Sequence, residues 1–154
     1  MAPNLVEDVR LWPQLVALRD CLEAQIKSSG LPEVCCVDIV PGAVADYSSG
    51  KDFAWMRLAL AAPVTTTAQT CQSPLQAQVE VGIMRCLPVP STGRPLSSET
   101  MRGLTQIQLA DMAAMRRAVT CCGGIEDATL VQYLPQGPEG AIYGGTWTAI
   151  IGQA

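Results

Sequence analysis

Histidine is absent from this sequence of 154 residues. A histidine is the usual general base at neutral pH, completes the common serine and cysteine nucleophile pairs, and ligates zinc in many sites. The acidic pairs fall in predicted loops and caps, where carboxylates are normally solvated: Glu7-Asp8, Glu126-Asp127, and Asp46 with Asp52. We therefore predict that the protein is not an enzyme and has no catalytic residue, cofactor or metal site.

Long apolar runs and basic patches are also missing. No stretch approaches the roughly 20 apolar residues needed to cross a bilayer. Met1–Asp8 carries acids instead of the basic and then apolar start of a signal peptide. We expect no membrane association, and assembly in a cytoplasm. The net charge is −4, and the arginines of the second half are interspersed with apolar residues, which argues against specific nucleic-acid binding.

Zinc-type spacing is missing among the seven cysteines. None forms a Cys-x-x-Cys pair, and neighbours such as Cys35 and Cys36 would point to opposite faces of a strand. Because unpaired cysteine is among the most buried residue types, we favour buried thiols. The alternative is a Cys71–Cys86 bridge across the base of a predicted strand, in a particle that later meets oxidising conditions.

The centre of the chain predicts a strand followed by a long helix. From Leu75 to Cys86 the side chains alternate with period two, and one face is apolar: Leu75, Ala77, Val79, Val81 and Ile83. Ser97 or Ser98 caps a helix that we predict to run to Cys122, before Gly123-Gly124. Its apolar stripe comprises Met101, Leu104, Met112, Met115, Val119 and Cys122. The two apolar faces must be buried against each other or against similar partners.

Five further elements complete the predicted order α-β-β-β-α-β-β. After a lead-in over residues 1–12, Pro13 opens the first helix, which ends at Ser28–Gly30. The further strands are Val34–Val40, Phe53–Ala61, Ala128–Leu134 and Ala141–Ile151, and the irregular connections include Pro63–Pro74, Leu87–Pro95 and Pro135–Gly140. Gly144-Gly145 predicts a bulge or a close backbone approach. The pattern predicts one α+β domain over residues 1–154, with two helices packed against a small mixed or antiparallel sheet.

Some polar and aromatic residues lie where the pattern predicts burial. Gln108 and Asp111 fall on or beside the helix stripe, so each needs a partner, either in a nearby loop or in another subunit. Phe53, Trp55 and Arg57 share the second face of their strand. Aromatic side chains on that face indicate that it is covered too, by a neighbouring chain.

Three stretches resemble a family of structural proteins, the tail terminators of siphophages that infect actinobacteria. They are Ser73-Pro74-Leu75 leading into Val79–Cys86, Leu109–Ala118 closed by Cys121-Cys122, and Pro135–Gly140 with Gly144–Thr148. The resemblance covers about Trp55 to Ile151, and the helix motif is its most specific part.

This resemblance implies a small mixed sheet with helices packed on it, assembled as a homohexameric ring at the head–tail junction of the virion. The ring would end tail-tube growth on the major tail protein and dock the head-side connector or stopper. Phage DNA would pass through its lumen without specific binding. The family carries no catalytic residues or cofactors, and the ring would be assembled in the host bacterial cytoplasm.

Under this interpretation, the subunit and partner contacts come from strand edges and loops. We expect Thr146–Ile151 to lie at a sheet edge against a neighbour, and the loops Pro63–Pro74 and Leu87–Leu96 to reach the axial partners. The predicted contact residues are Phe53, Trp55, Arg57, Arg94, Gln136, Glu139 and Trp147.

Two alternatives remain open from the sequence. A head–tail stopper or a head-completion ring protein would occupy the same junction, although stoppers tend towards small β-barrels without two long helices. The alternative from a different class is a cytoplasmic α+β domain that binds a small ligand.

Overall fold

The computed structural model describes residues 10–42, 50–64, 75–88, 95–139 and 141–152, with the side chain of Glu139 left out. The elements are α1 (Leu11–Ser28), β1 (Val37–Ile39), β2 (Phe53–Pro63), β3 (Leu75–Cys86), α2 (Ser98–Thr120), β4 (Thr129–Glu139) and β5 (Ile142–Ile151). This confirms the predicted α+β fold class and the predicted order of elements. The described residues do not include residues 1–9 of the predicted lead-in or most of the predicted loops Pro63–Pro74 and Leu87–Leu96. Cys71 and Arg94 therefore lie outside the description.

Local chemistry accounts for the ends of the helices. The Ser97 hydroxyl accepts a hydrogen bond from the backbone N–H of Thr100 at 3.1 Å, and Glu99 lies in the first turn of α2, where the helix dipole favours a carboxylate. On α1, Lys27 donates a hydrogen bond to Glu23 at 3.0 Å, and this contact lowers the pKa of Glu23. Neither helix of the described chain is long and apolar enough to cross a membrane.

The strands form one sheet in the order β1-β2-β3-β5-β4. β1 and β2 are parallel, and every other neighbouring pair is antiparallel. β5 is therefore an interior strand, hydrogen-bonded to β3 and to β4, and it is buried over most of its length. The prediction that Thr146–Ile151 lies at a sheet edge is wrong, because the uncharged β5 inserts between two other strands and β4 takes the edge.

The core lies between the helices and one face of the sheet. The alternating side chains of β3 from Ala77 to Ile83 are fully buried in it. They pack with Leu15, Leu18, Leu22, Ile26, Met56, Met115, Ala118, Val119, Ala149 and Ile151. Each large apolar side chain that is fully buried contributes about 1.5–3 kcal/mol to the free energy of unfolding. Leu75, predicted on the same face, is exposed.

Two strands differ in length from their predictions. β1 has only three residues, since the chain before Val37 is irregular. β4 continues through the predicted Pro135–Gly140 turn as far as Glu139. A shift of register between Gln136 and Glu139, where Gly137 has a φ of 80°, absorbs Pro138, whereas Pro135 stays in register opposite Gly145. Their missing N–H groups are tolerated because β4 is an edge strand.

Candidate functional site

The sheet face that points away from the helices carries a small aromatic cluster. Its buried members are Phe53, Trp55 and Met84, with Cys36 and Val40 packed against them. Gly82 lies opposite Trp55 in the register, and a Cβ at Gly82 would come within 2.5 Å of the indole ring. The glycine therefore leaves room for the tryptophan. Phe53 and Trp55 are covered by their own chain, and their contact with a neighbouring subunit stays a prediction.

The structure describes three of the remaining predicted contact residues, and these lie on three different strands: Arg57, Gln136 and Trp147. Arg57 lies on the same face as Trp55 and forms an ion pair with Glu80 at 2.9 Å, with both side chains half-buried. Gln136 is exposed on β4. Arg94 and the side chain of Glu139 lie outside the description of the chain.

Trp147 and Gln108 join α2 to the last two strands. The Trp147 indole N–H donates to the carbonyl oxygen of Met112 at 2.9 Å. The Gln108 amide donates to the carbonyl oxygens of Gly144 and Gln136. Of the two predicted alternatives, a nearby loop or another subunit, the partner of Gln108 lies in its own chain. It lies on the paired strands β4 and β5, and not in a loop.

A buried ion network connects β3 with α2. Arg85 extends the apolar face of β3 beyond Ile83, and its side chain is only 1% exposed. Its Nε and Nη2 atoms donate to the two carboxylate oxygens of Asp111, each at 2.7 Å. Such two-pronged, charge-assisted contacts are among the strongest hydrogen bonds in proteins. The position of Asp111 on the apolar stripe of the helix predicted that it needs a partner, and Arg85 of the same chain is that partner.

Asp52 extends this network to the backbone at one end of the sheet. Arg85 Nη1 donates to the Asp52 carboxylate at 2.9 Å and to the Pro32 carbonyl at 3.1 Å. The Asp52 carboxylate also accepts a hydrogen bond from the backbone N–H of Cys86 at 2.9 Å, and the backbone carbonyl of Asp52 accepts one from the N–H of Cys35 at 2.7 Å. The irregular segment before β1, the start of β2 and the end of β3 are thus held at one point.

The charges of this network are set by burial and by mutual attraction. Burial raises the pKa of Asp111, and the Arg85 guanidinium opposes that rise. Burial also works against the charged form of Arg85, yet the two carboxylates raise its pKa overall. Because a guanidinium does not lose its proton in proteins, Arg85 keeps its positive charge in this network. A fully hydrogen-bonded network of this kind positions backbone segments relative to one another.

Tyr133 carries a second buried polar group. Its ring packs on Trp147, with 5.6 Å between the centroids, and its hydroxyl has no hydrogen-bond partner among the described residues. A Cβ on Gly145 would overlap this ring, which confirms the close approach predicted for Gly144-Gly145. Burial, with the charge of Asp111 as a smaller cause, raises the pKa of Tyr133 to about 12.

We expect stability to decline between about pH 10 and pH 12 in a manner that depends on Tyr133. The unfolded chain loses this proton near pH 10, whereas the folded chain keeps it to about pH 12. The stabilisation is complete below pH 10 and is lost as the pH rises, at up to about 1.4 kcal/mol per pH unit. Urea unfolding of the wild type and of Tyr133→Phe over this range measures the effect, and identical pH dependence in the two proteins would contradict it.

The cysteines differ from the predicted arrangement of buried thiols. Cys21 of α1 and Cys122, just after α2, form a disulfide with Cα atoms 6.0 Å apart. The Cys86 thiol is free, and Cys71, its partner in the alternative bridge, lies outside the described residues. Cys35 and Cys121 are free but exposed, so buried thiols were the wrong prediction for them. The disulfide was not predicted because the packing of α1 on α2 brings together two cysteines that lie far apart in the sequence.

Cys36 and Cys86 come closest to the buried thiols that we predicted. Both are half-buried. Burial raises the pKa of Cys36 to about 12, and burial together with the Asp52 charge raises the pKa of Cys86. Both thiols therefore stay protonated at neutral pH. In the part of the chain that is described, no group of three or more Cys, Asp or Glu side chains is arranged to hold a metal ion.

Two strand edges have no pairing partner within the described ranges. β4 pairs only with β5. β2 pairs with β1 only from Ala54 to Met56, which leaves its edge open from Arg57 to Pro63. Residues 58–63 and 129–138 contain no charged side chain. Charged side chains commonly protect an exposed edge strand against pairing with another chain. In these two stretches only prolines and bulges provide such protection.

Exposed apolar side chains are concentrated on or beside the same two edges. The hairpin surface comprises Leu58, Leu60, Val64 and Leu75, and the edge surface comprises Val131, Leu134 and Ile142. Among the described residues only two other large apolar side chains are exposed, Trp12 and Leu109, and both are on helices. The sheet, and not the helices, therefore presents the main apolar surfaces.

A cleft of about 350 Å³ lies between α1 and the segment that leads into β1. Its walls combine apolar side chains such as Ile26 and Leu31 with charged side chains of α1. Two of those charges, Glu23 and Lys27, already pair with each other. The volume lies within the usual range for small-molecule sites.

Sequence reasoning did not find Arg85, the Cys21–Cys122 pair or the two open edges. For Arg85 a signal existed, because it continues the apolar alternation of β3 while Asp111 falls on the helix stripe. Two opposite charges on two buried faces indicate an internal ion pair. Comparison of the chain with protein-family models and with curated proteins gives no match.

Proposed function

We propose that the protein is a structural component of the siphophage head–tail junction, a tail terminator. In this role, a homohexameric ring ends tail-tube growth on the major tail protein and offers its other side to the head-side connector or stopper. The resemblance over Trp55–Ile151 suggests this family. The observed fold, two helices against a small mixed sheet, is the architecture that the resemblance implies.

The observation that carries the proposal is the pair of open strand edges with their exposed apolar side chains. A chain that worked alone would leave both edges available for uncontrolled association. A ring uses two different surfaces of every copy, one for each neighbour. Two open edges on one sheet therefore match what a ring subunit requires.

The decisive experiment removes the gene from the phage and examines the particles by electron microscopy. We expect overlong tails without attached heads, and normal tails on gene complementation. Tails of normal length that fail to join heads would instead favour the stopper or head-completion alternative. Normal, infectious particles would contradict any function at the junction. Negative-stain images of the purified protein provide a second test, with a ring as the expected result.

The cleft beside α1 favours a second candidate function, binding of a small ligand by an α+β domain. A metabolite that binds there raises Tm in proportion to the logarithm of its concentration when it is in excess. The matched control is Cys35→Trp, because Cys35 lines the cleft, is exposed, and leaves room for a larger side chain to fill the space. A shift in Tm that Cys35→Trp abolishes would support this function over the ring.

A further inference from the structure

The two open edges lie at opposite sides of one sheet. In the order β1-β2-β3-β5-β4, the strands β3 and β5 separate β2 from β4. One open stretch runs from Arg57 to Pro63, and the other runs from Thr129 to Leu134, before the first proline of β4. The two stretches are of similar length. One copy of the chain cannot bring them together, because two paired strands lie between them.

The strand directions allow these edges to meet between copies. Successive antiparallel pairings make β2 and β5 run one way and β3 and β4 run the other way. When a second copy continues the sheet beside β4, its β2 therefore runs antiparallel to that β4. This is the pairing found between most neighbouring strands in protein sheets.

The hairpin of β2 and β3 also projects beyond its neighbours. Ile151, the last residue of β5, pairs with Ala77, whereas β3 begins at Leu75, which pairs with Pro63. The projecting end carries Val64 and Leu75 without any charged residue between Leu58 and Val64. Such an arm can reach past its own sheet and cover apolar side chains on a neighbouring one.

We propose that the open edge of β2 in one copy pairs with the open edge of β4 in the next copy, so that the hairpin surface covers the edge surface. The partner is a second copy of this chain. Neither surface contains a charged side chain, so no like charges oppose each other at the contact. The inference rests on the proposed function, since this head-to-tail contact forms a ring when the rotation between successive copies closes.

A two-fold contact would use the same surface on both copies and leave the other edge open. It would therefore cover either the hairpin surface or the edge surface, but not both. The head-to-tail contact covers both surfaces in every subunit. This difference makes the two arrangements separable by experiment.

The test uses single lysine substitutions in the full chain and analytical ultracentrifugation of the purified proteins. Leu60→Lys disables the hairpin surface and Val131→Lys disables the edge surface, because lysine on an edge opposes strand pairing. Leu109→Lys is the matched control: Leu109 is 52% exposed, close to Leu60 at 57% and Val131 at 52%, but it lies on α2. Circular dichroism of each variant tests whether it is folded.

We expect wild type and Leu109→Lys to form rings, and Leu60→Lys and Val131→Lys each to be monomeric at the same concentration. An equimolar mixture of the two monomeric variants should give two-chain particles and no rings, because one intact hairpin surface meets one intact edge surface. Dimers of Leu60→Lys alone would show a two-fold contact and overturn the inference. Rings formed by either edge variant would also overturn it, while leaving the proposed function intact. A wild type that stays monomeric at high concentration would overturn both.

Discussion

Replacing Arg85 with methionine is expected to lower the free energy of unfolding by about 3–5 kcal/mol. The methionine fills much of the space of the arginine stem but removes every donor of the guanidinium. Asp111 would then be a buried carboxylate without its partner, with its side chain 1% exposed. The Asp52 carboxylate and the Pro32 carbonyl would lose hydrogen bonds as well. Urea unfolding monitored by tryptophan fluorescence measures the change.

Two matched variants test whether the loss of stability comes from leaving a buried charge unpaired or from losing any ion pair. Arg57→Met removes the half-buried pair with Glu80, and we expect a loss of about 1 kcal/mol or less. The double variant Arg85→Met with Asp111→Leu removes both buried charges, so it should recover most of the stability lost by Arg85→Met. A cost for Arg85→Met no greater than that for Arg57→Met would contradict the role assigned to the network.

The second large effect concerns the Cys21–Cys122 disulfide. We expect Cys122→Ser to lower the free energy of unfolding of the oxidised protein by about 2–5 kcal/mol. The bridge joins residues 101 positions apart, and closing so long a loop removes much of the conformational freedom of the unfolded chain. It also fixes the end of α2 to α1, which together form one side of the core. Thermal and urea unfolding without reductant measure the difference.

Cys121→Ser is the matched control for this disulfide, because Cys121 is the adjacent free cysteine and its thiol is exposed. It should unfold like the wild type. Reductant should bring the wild type down to the stability of Cys122→Ser, since a cytoplasm-like thiol buffer opens disulfides. Equal stability of the wild type and Cys122→Ser without reductant would show that the bridge does not stabilise the fold.

Much of the fold follows from periodicity and caps that operate over a few residues. The alternation from Ala77 to Ile83 predicts a strand with one buried face, and that face is in the core. Ser97 and Glu99 predict the start of α2 within one residue. Such signals are reliable because a strand or a helix turn is stabilised largely by neighbours in the chain.

The end of β4 shows where local rules fail. Two prolines and two glycines between Pro135 and Gly140 predict a turn, yet the strand continues to Glu139. Pairing with β5 outweighs the local preference, and the edge position removes the main objection to proline in a strand. The same pairing places β5 inside the sheet, although its sequence alone is equally compatible with an edge.

The candidate surfaces were less predictable than the fold. Phe53 and Trp55 suggested an intersubunit contact because aromatic side chains need cover, but Gly82, Met84 and the chain around Cys36 supply it internally. Val131 and Leu134 drew no attention, because an alternating apolar residue is expected to be buried. Both are exposed on β4, the outermost strand, which pairs on one side.

The sequence by itself determined that no histidine is available as a base or ligand. It also determined that the elements follow the order α-β-β-β-α-β-β and that β3 and α2 bury apolar faces. These properties depend on composition and on residues close in the chain. Only the tertiary structure decided that Arg85 meets Asp111, that Cys21 meets Cys122, and that β2 and β4 keep open edges. The physical reason is that strand order and helix packing join residues many positions apart, and no local spacing specifies which distant segments will be neighbours.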